Sequence, residues 1–453
     1  MEEVFAKKQN YKEFLRYVFP SIITMIFLSF YTTIDGFFVS RYVNSDALAS
    51  INIIIPITCV VFGIAVMLAT GSGALVGIKL GEKNIQGANE LFSFVTVVLI
   101  SIGVVLTILG VIFLDPILRF LGTTDILYPY AKTYGIVTVL MTIPMMLKLY
   151  FEYYARVDGS PKVSLLMSSL GLVLNIVFDF LFIVVFDMGI LGAGLGTYIA
   201  ITISGIIGII YFKGNNSNLE FTKPKANFKE LFNSCYNGSS EMFTELSTGI
   251  TTFLFNKSIL TFSGENGVAA MSIIIYIYYF FIAVYFGIAV GIGPMISYNF
   301  GAKNKEKIKE SLKHSFVTIG WSSIVIFLIS IIGGKYIISI FTNDLEVYTI
   351  ATSGIKLFSY GFLIIGTNIF MSGYFTAIGD GQVSAIISIL RSLVFVVATI
   401  TVLPKFIGLN GIWLAIPIAE LLTIFFSVIF TLEKVLERIK SNNLNKITIS
   451  LFA

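Results

Sequence analysis

Charge and histidine are what this 453-residue sequence has least of. Asp, Glu, Lys and Arg together make up 12% of it, and His314 is its single histidine. Soluble domains carry about 25% charged residues, so a water-soluble globule is excluded. One histidine leaves no room for His-based catalysis or a His-rich metal site. The two cysteines, Cys59 and Cys235, lie far apart, with neither metal-ligand spacing nor a disulfide framework. There is no G-x-x-x-x-G-K-[ST] phosphate loop, which argues against ATP hydrolysis, and no paired catalytic motif. The chain is therefore not expected to be an enzyme, and no cofactor is expected. A net charge of +4, with most Lys and Arg between apolar runs, gives no sign of a nucleic-acid partner.

What is abundant is apolar: 56% of residues, with a mean hydropathy of +0.89. The runs are continuous rather than alternating, which excludes an outer-membrane barrel. Segments long enough to span a bilayer fall at about 14–40, 47–78, 91–114, 128–152, 162–186, 191–212, 236–262, 268–299, 313–341, 346–375, 383–403 and 408–432. The fold class is thus all-α, a polytopic membrane protein of twelve helices. Basic residues gather in alternate connections: Lys79 and Lys83 after the second span, Arg156 and Lys162 after the fourth, Lys223, Lys225 and Lys229 after the sixth, Lys303 to Lys313 after the eighth. By the positive-inside rule both termini are cytoplasmic, which an even number of spans requires. "MEEVFAKKQNYKEF" reads as a retained tail, because the run after it is too long for a signal-peptide core. Lys outnumbers Arg, and Ile and Asn are common, as in an AT-rich bacterial genome. The expected location is the bacterial inner (plasma) membrane.

The halves resemble each other at an offset of about 220. "LGEKN" (80–84) matches "FGAKN" (300–304), "YARVDGSPKVS" (154–164) matches "YFTAIGDGQVS" (374–384), and "GILGAGLGTYIA" (189–200) matches "GLNGIWLAIPIA" (408–419). Six spans per half make these parallel repeats, related by an axis along the membrane normal. The expected organisation is an N-lobe over 1–212, a cytoplasmic linker over 213–230, a C-lobe over 231–432 and a cytoplasmic tail over 433–453. A central cavity between the lobes suggests alternating access.

Against this background the intramembrane acids stand out. A lone charge at a helix centre costs about 2.5–3.5 kcal/mol on insertion scales. Asp35 lies in "FYTTIDGFFVS", and Asp179 follows Asn175 by four residues, on one helix face, in "NIVFDFLF". At the repeat offset Asp35 faces Phe255 and Asp179 faces Thr399, so these acids belong to the first half alone. One reading is a neutral acid bonded to a neighbouring helix, holding the bundle together. The other is a desolvated carboxylate pair that trades a proton for a cation, its oxygens also suiting Na⁺. Pro20 removes a backbone hydrogen bond on the first helix, which could bend there. The second half carries Glu241, Glu245, Lys257, Lys356, Arg391 and Glu420, either as structural ion pairs or with Glu245 as an acid attracting organic cations. His314 is expected at an exposed loop end, and "GSG" (71–73) and "GIGP" (291–294) at close packing or kinks.

In this order, "TTIDGFFVS", "GEKN", "NIVFD" and "GAGLGT" resemble a multidrug and toxic compound extrusion (MATE) transporter of the MepA-like and DinF-like branch. The resemblance implies secondary efflux of amphipathic, often cationic compounds by antiport with Na⁺ or H⁺, with no partner beyond substrate and lipid bilayer and a monomer expected. It implies a cation site at Asp35, Asn175, Asp179 and Thr197, with Tyr134 nearby, and bending at Pro20. Another branch uses an acid on the seventh helix, for which Glu245 is the best match and Glu241 the next. The rival expectation is a lipid-linked-oligosaccharide flippase of the same superfamily.

Overall fold

In hydrocarbon every backbone N–H and C=O must be satisfied within its own segment, so each apolar run folds as a helix. The computed structural model describes Phe5 and residues 10–440, with backbone alone for residues 32, 33 and 430–440. Most of the expected N-terminal tail, and the tail beyond 440, lie outside the described residues.

The helices are α1 (Tyr11–Tyr42), α2 (Ser45–Gly81), α3 (Ile85–Phe120), α4a (Tyr128–Leu140) with α4b (Thr142–Val157), α5 (Pro161–Val185) and α6 (Gly189–Lys213). Phe228–Gly301 is one run interrupted at Gly264, whose φ of 60° turns the chain; it comprises α7 (228–263) and α8 (265–301). Then come α9 (Lys305–Phe341), α10 (Leu345–Ala377), α11 (Gly381–Ile407) and α12 (Leu409–Trp413 with Ala415–Lys440). Among the described residues no strand occurs. Side-chain caps start many of these helices; Asn10, Asn44, Asn84, Asn227, Asn304, Asp344 and Asp380 each accept a backbone N–H of the first turn.

Most spans run longer than the apolar segments alone suggest. α4 bends by 49° between its halves and continues to Val157. Arg156, expected in a loop, is consequently a buried helix residue, 2% exposed. His314 is also displaced from its expected place: it sits inside α9, edge-on to Tyr11 and Phe14 at ring distances of 5.5 and 5.3 Å. Those rings give it apolar cover that a loop end would not.

The repeat is written into the backbone. Lys83 and Lys303 both take positive φ (63° and 55°) at the matched loop ends, as do Gly159 and Gly379 (83° and 78°), and Gly189 and Gly408 (both 57°). Matched glycines also carry the contact between the two six-helix lobes. A Cβ on Gly71 would strike the Ser234 carbonyl on α7, and one on Gly291 would press on Ser21 of α1. Near the pseudo-two-fold axis, Gly81 abuts the Tyr298 backbone while Gly301 abuts that of Ile78, and Gly77 faces Ser297. Such close approach is open only to small residues. The lobes are sealed at the end where α2 and α8 terminate. Toward the other end, Ile55 and Val60 on α2 and Ile250 and Phe253 on α7 are exposed.

A polar strap joins the lobes along that sealed end. Asp158, between α4b and α5, accepts N–H bonds from Asn218 and Leu219, both at 2.9 Å, and the Tyr211 hydroxyl at 2.5 Å. Burial pushes its carboxyl up from 3.8 to about 6 despite these donors.

Candidate functional site

Asp35 stands two turns before the end of α1, Asn175 and Asp179 one turn apart on α5, and Thr197 two turns into α6. The structure brings these four together. Asn175 Nδ2 donates to Asp35 Oδ1 at 2.9 Å and to Thr197 Oγ1 at 3.1 Å, with Asp179 Oδ2 at 3.5 Å. The Thr197 hydroxyl in turn donates to Asp35 Oδ2 at 3.0 Å. Asn175 thus bridges the carboxyl groups of Asp35 and Asp179. All four residues are buried.

Local sequence explains why Asp179 fits. The α-helical part of α5 ends on it and a π-helical turn, Phe180–Val185, begins. A Cβ on Gly196 would lie 2.5 Å from Asp179 Oδ1, so the glycine beside Thr197 clears the space that the carboxyl fills. Asp179 Oδ1 and Asn175 Oδ1 are buried acceptors with no hydrogen-bond donor among the described residues. Two buried carboxyl groups bridged by one amide disfavour charge on both unless a proton or a cation sits between them. With the remaining oxygens they form an all-oxygen donor set suited to a proton or a hard cation. Tyr134 on α4a is buried within electrostatic reach of both acids.

The positions matched by the repeat are neutral. Phe255 is 3% exposed and apolar, and the Thr399 hydroxyl is spent on helix carbonyls, including Ala415 O at 2.9 Å. Pro20 sits within an unbroken α1. The carbonyl of Pro20 receives the Thr24 hydroxyl at 2.9 Å, and Gly287 lies against the Ile22 backbone, so α8 packs tightly on this segment.

Glu241 and Glu245 do not join that cluster. They lie on α7 at the interface between the lobes: Glu241 lines a narrow cleft with Thr70, Tyr153 and Phe286, and Glu245 packs beside Gly63, Cys59 and Tyr279. Neither shares an ion pair among the described residues. Arg391 does: it pairs with Glu420 at 3.4 Å, and Asn368 donates to Glu420 Oε2 at 2.7 Å. Lys257 and Lys356 are exposed.

One buried charge cluster is absent from the sequence expectations. On α4b, Glu152 is held by Lys148 Nζ at 2.6 Å and by Arg156 Nη2 at 3.0 Å, with side chains at most 4% exposed. Its signal was the spacing of three charges at intervals of four, which places them on one face. Placing the end of the span at 152 hid it.

The profile of the MatE family matches residues 20–181 and again 241–401, at the offset of the internal repeat. Multidrug export protein MepA of Staphylococcus haemolyticus (strain JCSC1435) is 26% identical over 431 residues, covering 94% of each chain. Among solved structures, an outward-facing multidrug resistance MATE family transporter of the MOP superfamily superposes with a TM-score of 0.89 at 20% identity, over 95% of this chain and 97% of the other. The MATE multidrug transporter DinF-BH gives 0.86 at 25% identity, over 93% and 95%. These relatives are transporters, not enzymes. Matched across both of its halves, the chain belongs to the MatE family.

Proposed function

We propose that the protein is a secondary exporter of amphipathic, often cationic organic compounds, driven by antiport of Na⁺ or H⁺. One observation carries the reading: a buried pair of carboxyl groups, Asp35 and Asp179, bridged by Asn175 in one lobe and replaced by Phe255 and Thr399 in the other. A fold that builds its second lobe without these acids does not need them for packing. The charge therefore has another use, and exchange of a proton or cation is the chemistry such a pair performs.

In the proposed cycle both termini and the strap are cytoplasmic, the N-lobe spans 1–212, the linker 213–230 and the C-lobe 231–432, with the tail after it, and the chain works as a monomer in a bacterial plasma membrane. The lobes are then sealed inward and parted outward. A cation enters from outside at Asp35, Asp179, Asn175 and Thr197, with Tyr134 beside them. α1 rearranges around Pro20, substrate leaves, and the lobes rock. Glu241 and Glu245, without an ion pair among the described residues at the lobe interface, attract cationic substrates. These acids weigh against the flippase alternative, whose pyrophosphate head group calls for a basic cavity.

The test is dye transport by purified protein in liposomes under a Na⁺ gradient alone and then a pH gradient alone. One gradient should drive dye movement without chemical change to the dye. Asp35→Asn and Asp179→Asn should each abolish it while the protein remains folded. Wild-type rates in either variant would sink the proposal.

A further inference from the structure

We propose that the buried ladder Lys148–Glu152–Arg156 on α4b is an electrostatic barrier that stops the coupling cation from passing straight through the N-lobe. This rests on the export reading above. An antiporter that binds a cation from one side must deny it a direct path to the other, and a fixed positive charge beside a pathway does this.

The ladder lies between the acid pair and the sealed end of the molecule. Tyr31 is one turn from Asp35 on α1, and Lys148 Nζ stands 5.9 Å from the Tyr31 ring. Two turns further along α4b, the Arg156 carbonyl meets the hydroxyl of Tyr17, near the start of α1, at 3.5 Å. A cation released from Asp35 toward the sealed end would meet Tyr31, then Lys148, then Arg156.

Charge count separates a barrier from simple glue. A helix–helix weld needs one neutral pair, and burying a further charge adds desolvation cost without a partner. Here two cations share one carboxylate, leaving one excess positive charge, and Arg156 Nε is buried without an acceptor among the described residues. Among the described residues no other acid forms an ion pair with Lys148 or Arg156. Asp158 directs its carboxylate to the Asn218 and Leu219 amides and Tyr211, and Glu241 lines the cleft with Tyr153 without an ion pair to Arg156. Tyr31 lies within reach of both Glu152 and Asp35, and its hydroxyl has no hydrogen-bond partner among the described residues.

The repeat supplies the control. At the offset of 220, Lys148, Glu152 and Arg156 face Asn368, Ser372 and Thr376. These are buried too, but neutral: Ser372 shares hydrogen bonds with Ser384 and Ser388, and Thr376 with Ser384. In the lobe that lacks the acid pair the stripe itself carries no charge, and the charges it meets there, Glu420 on Asn368 and Arg391 on Glu420, are one of each sign with no excess. Both the acids and the charged ladder occur in the same lobe.

The experiment measures drug-free cation flux into liposomes holding the full chain, under whichever gradient drives dye export. Lys148→Met leaves Glu152 and Arg156 to cancel, and flux should rise about tenfold while gradient-driven dye export falls. Lys148→Arg should remain tight. The double variant Lys148→Met/Glu152→Gln breaks the pair but restores one net positive charge, and it should be tight again. A merely structural ladder would make the double variant at least as defective as the single, without raised flux in either. Tight Lys148→Met protein, or a double variant that leaks like the single, overturns the barrier alone. Wild-type protein without any gradient-driven export overturns the export reading and the barrier with it.

Discussion

Asn175 on α5 donates its amide to Asp35 on α1 across 2.9 Å, tying the proline-bearing first helix to α5 of its own lobe. The same amide contacts Thr197 and Asp179, so a change of charge on either acid is felt by both helices at once. A hydrogen bond to a charged group is worth about 1.5–3 kcal/mol. Asn175→Ala should therefore shift the cation concentration for half-maximal export by about tenfold or more. Dye transport titrated against Na⁺ or pH in liposomes checks this, and an unchanged midpoint would count against the four-residue site.

Gly196→Ala should injure the same site by crowding alone. Its new methyl would meet Asp179 Oδ1 at 2.5 Å, and overpacking of this kind costs about 1–3 kcal/mol. Gly249→Ala, on α7 with open space around it, is the matched control and should transport normally. Thermal unfolding in detergent and export rates, measured on both, separate local crowding from general helix effects.

Gly301→Val should keep the lobes from closing at the sealed end, because the added atoms would enter the Ile78 backbone on α2. The expected result is a folded protein that binds the coupling cation but has lost export. Spin-label distances between the lobes should lengthen at that end. Normal export would mean that this contact is not part of the cycle.

Asp158 predicts a pH dependence with a definite sign. Its carboxyl is pushed up to about 6 by burial, from 3.8. Between those values the folded protein holds a proton that the unfolded chain has released. The contribution of Asp158 to stability is thus full below about pH 4 and falls as pH rises through about 6. The unfolding temperature of wild type minus that of Asp158→Asn should decline over this window and then level off. A difference that grows with pH would refute the assignment.

Much of this was legible in the sequence because the solvent imposes it. Backbone groups in hydrocarbon must pair locally, so length and hydropathy show where helices run. The repeat was visible in "LGEKN" and "FGAKN", since a helix end closed by a left-handed Lys and an Asn cap keeps its local signature. Asp35 and Asp179 announced themselves by their cost. The ladder on α4b did not, because Glu152 and Arg156 fell at the estimated end of a span, where charge is ordinary. His314 was misplaced for the same reason: a polar residue near a helix end looks solvated until neighbouring rings are seen to cover it.

The sequence by itself determined the helical class, the two-fold repeat and the presence of two acids in the first half, all through local chemistry and apolar run length. Only the tertiary structure decided that Asp35, 140 positions before Asn175, shares its amide, and that Glu152 is enclosed by two cations out of reach of solvent. It also decided which end of the lobes is sealed, through Gly81, Gly301 and the backbones they touch. These facts depend on which helix faces pack together. Many facings would satisfy the backbone equally well, and close packing of particular small and polar side chains selects one of them.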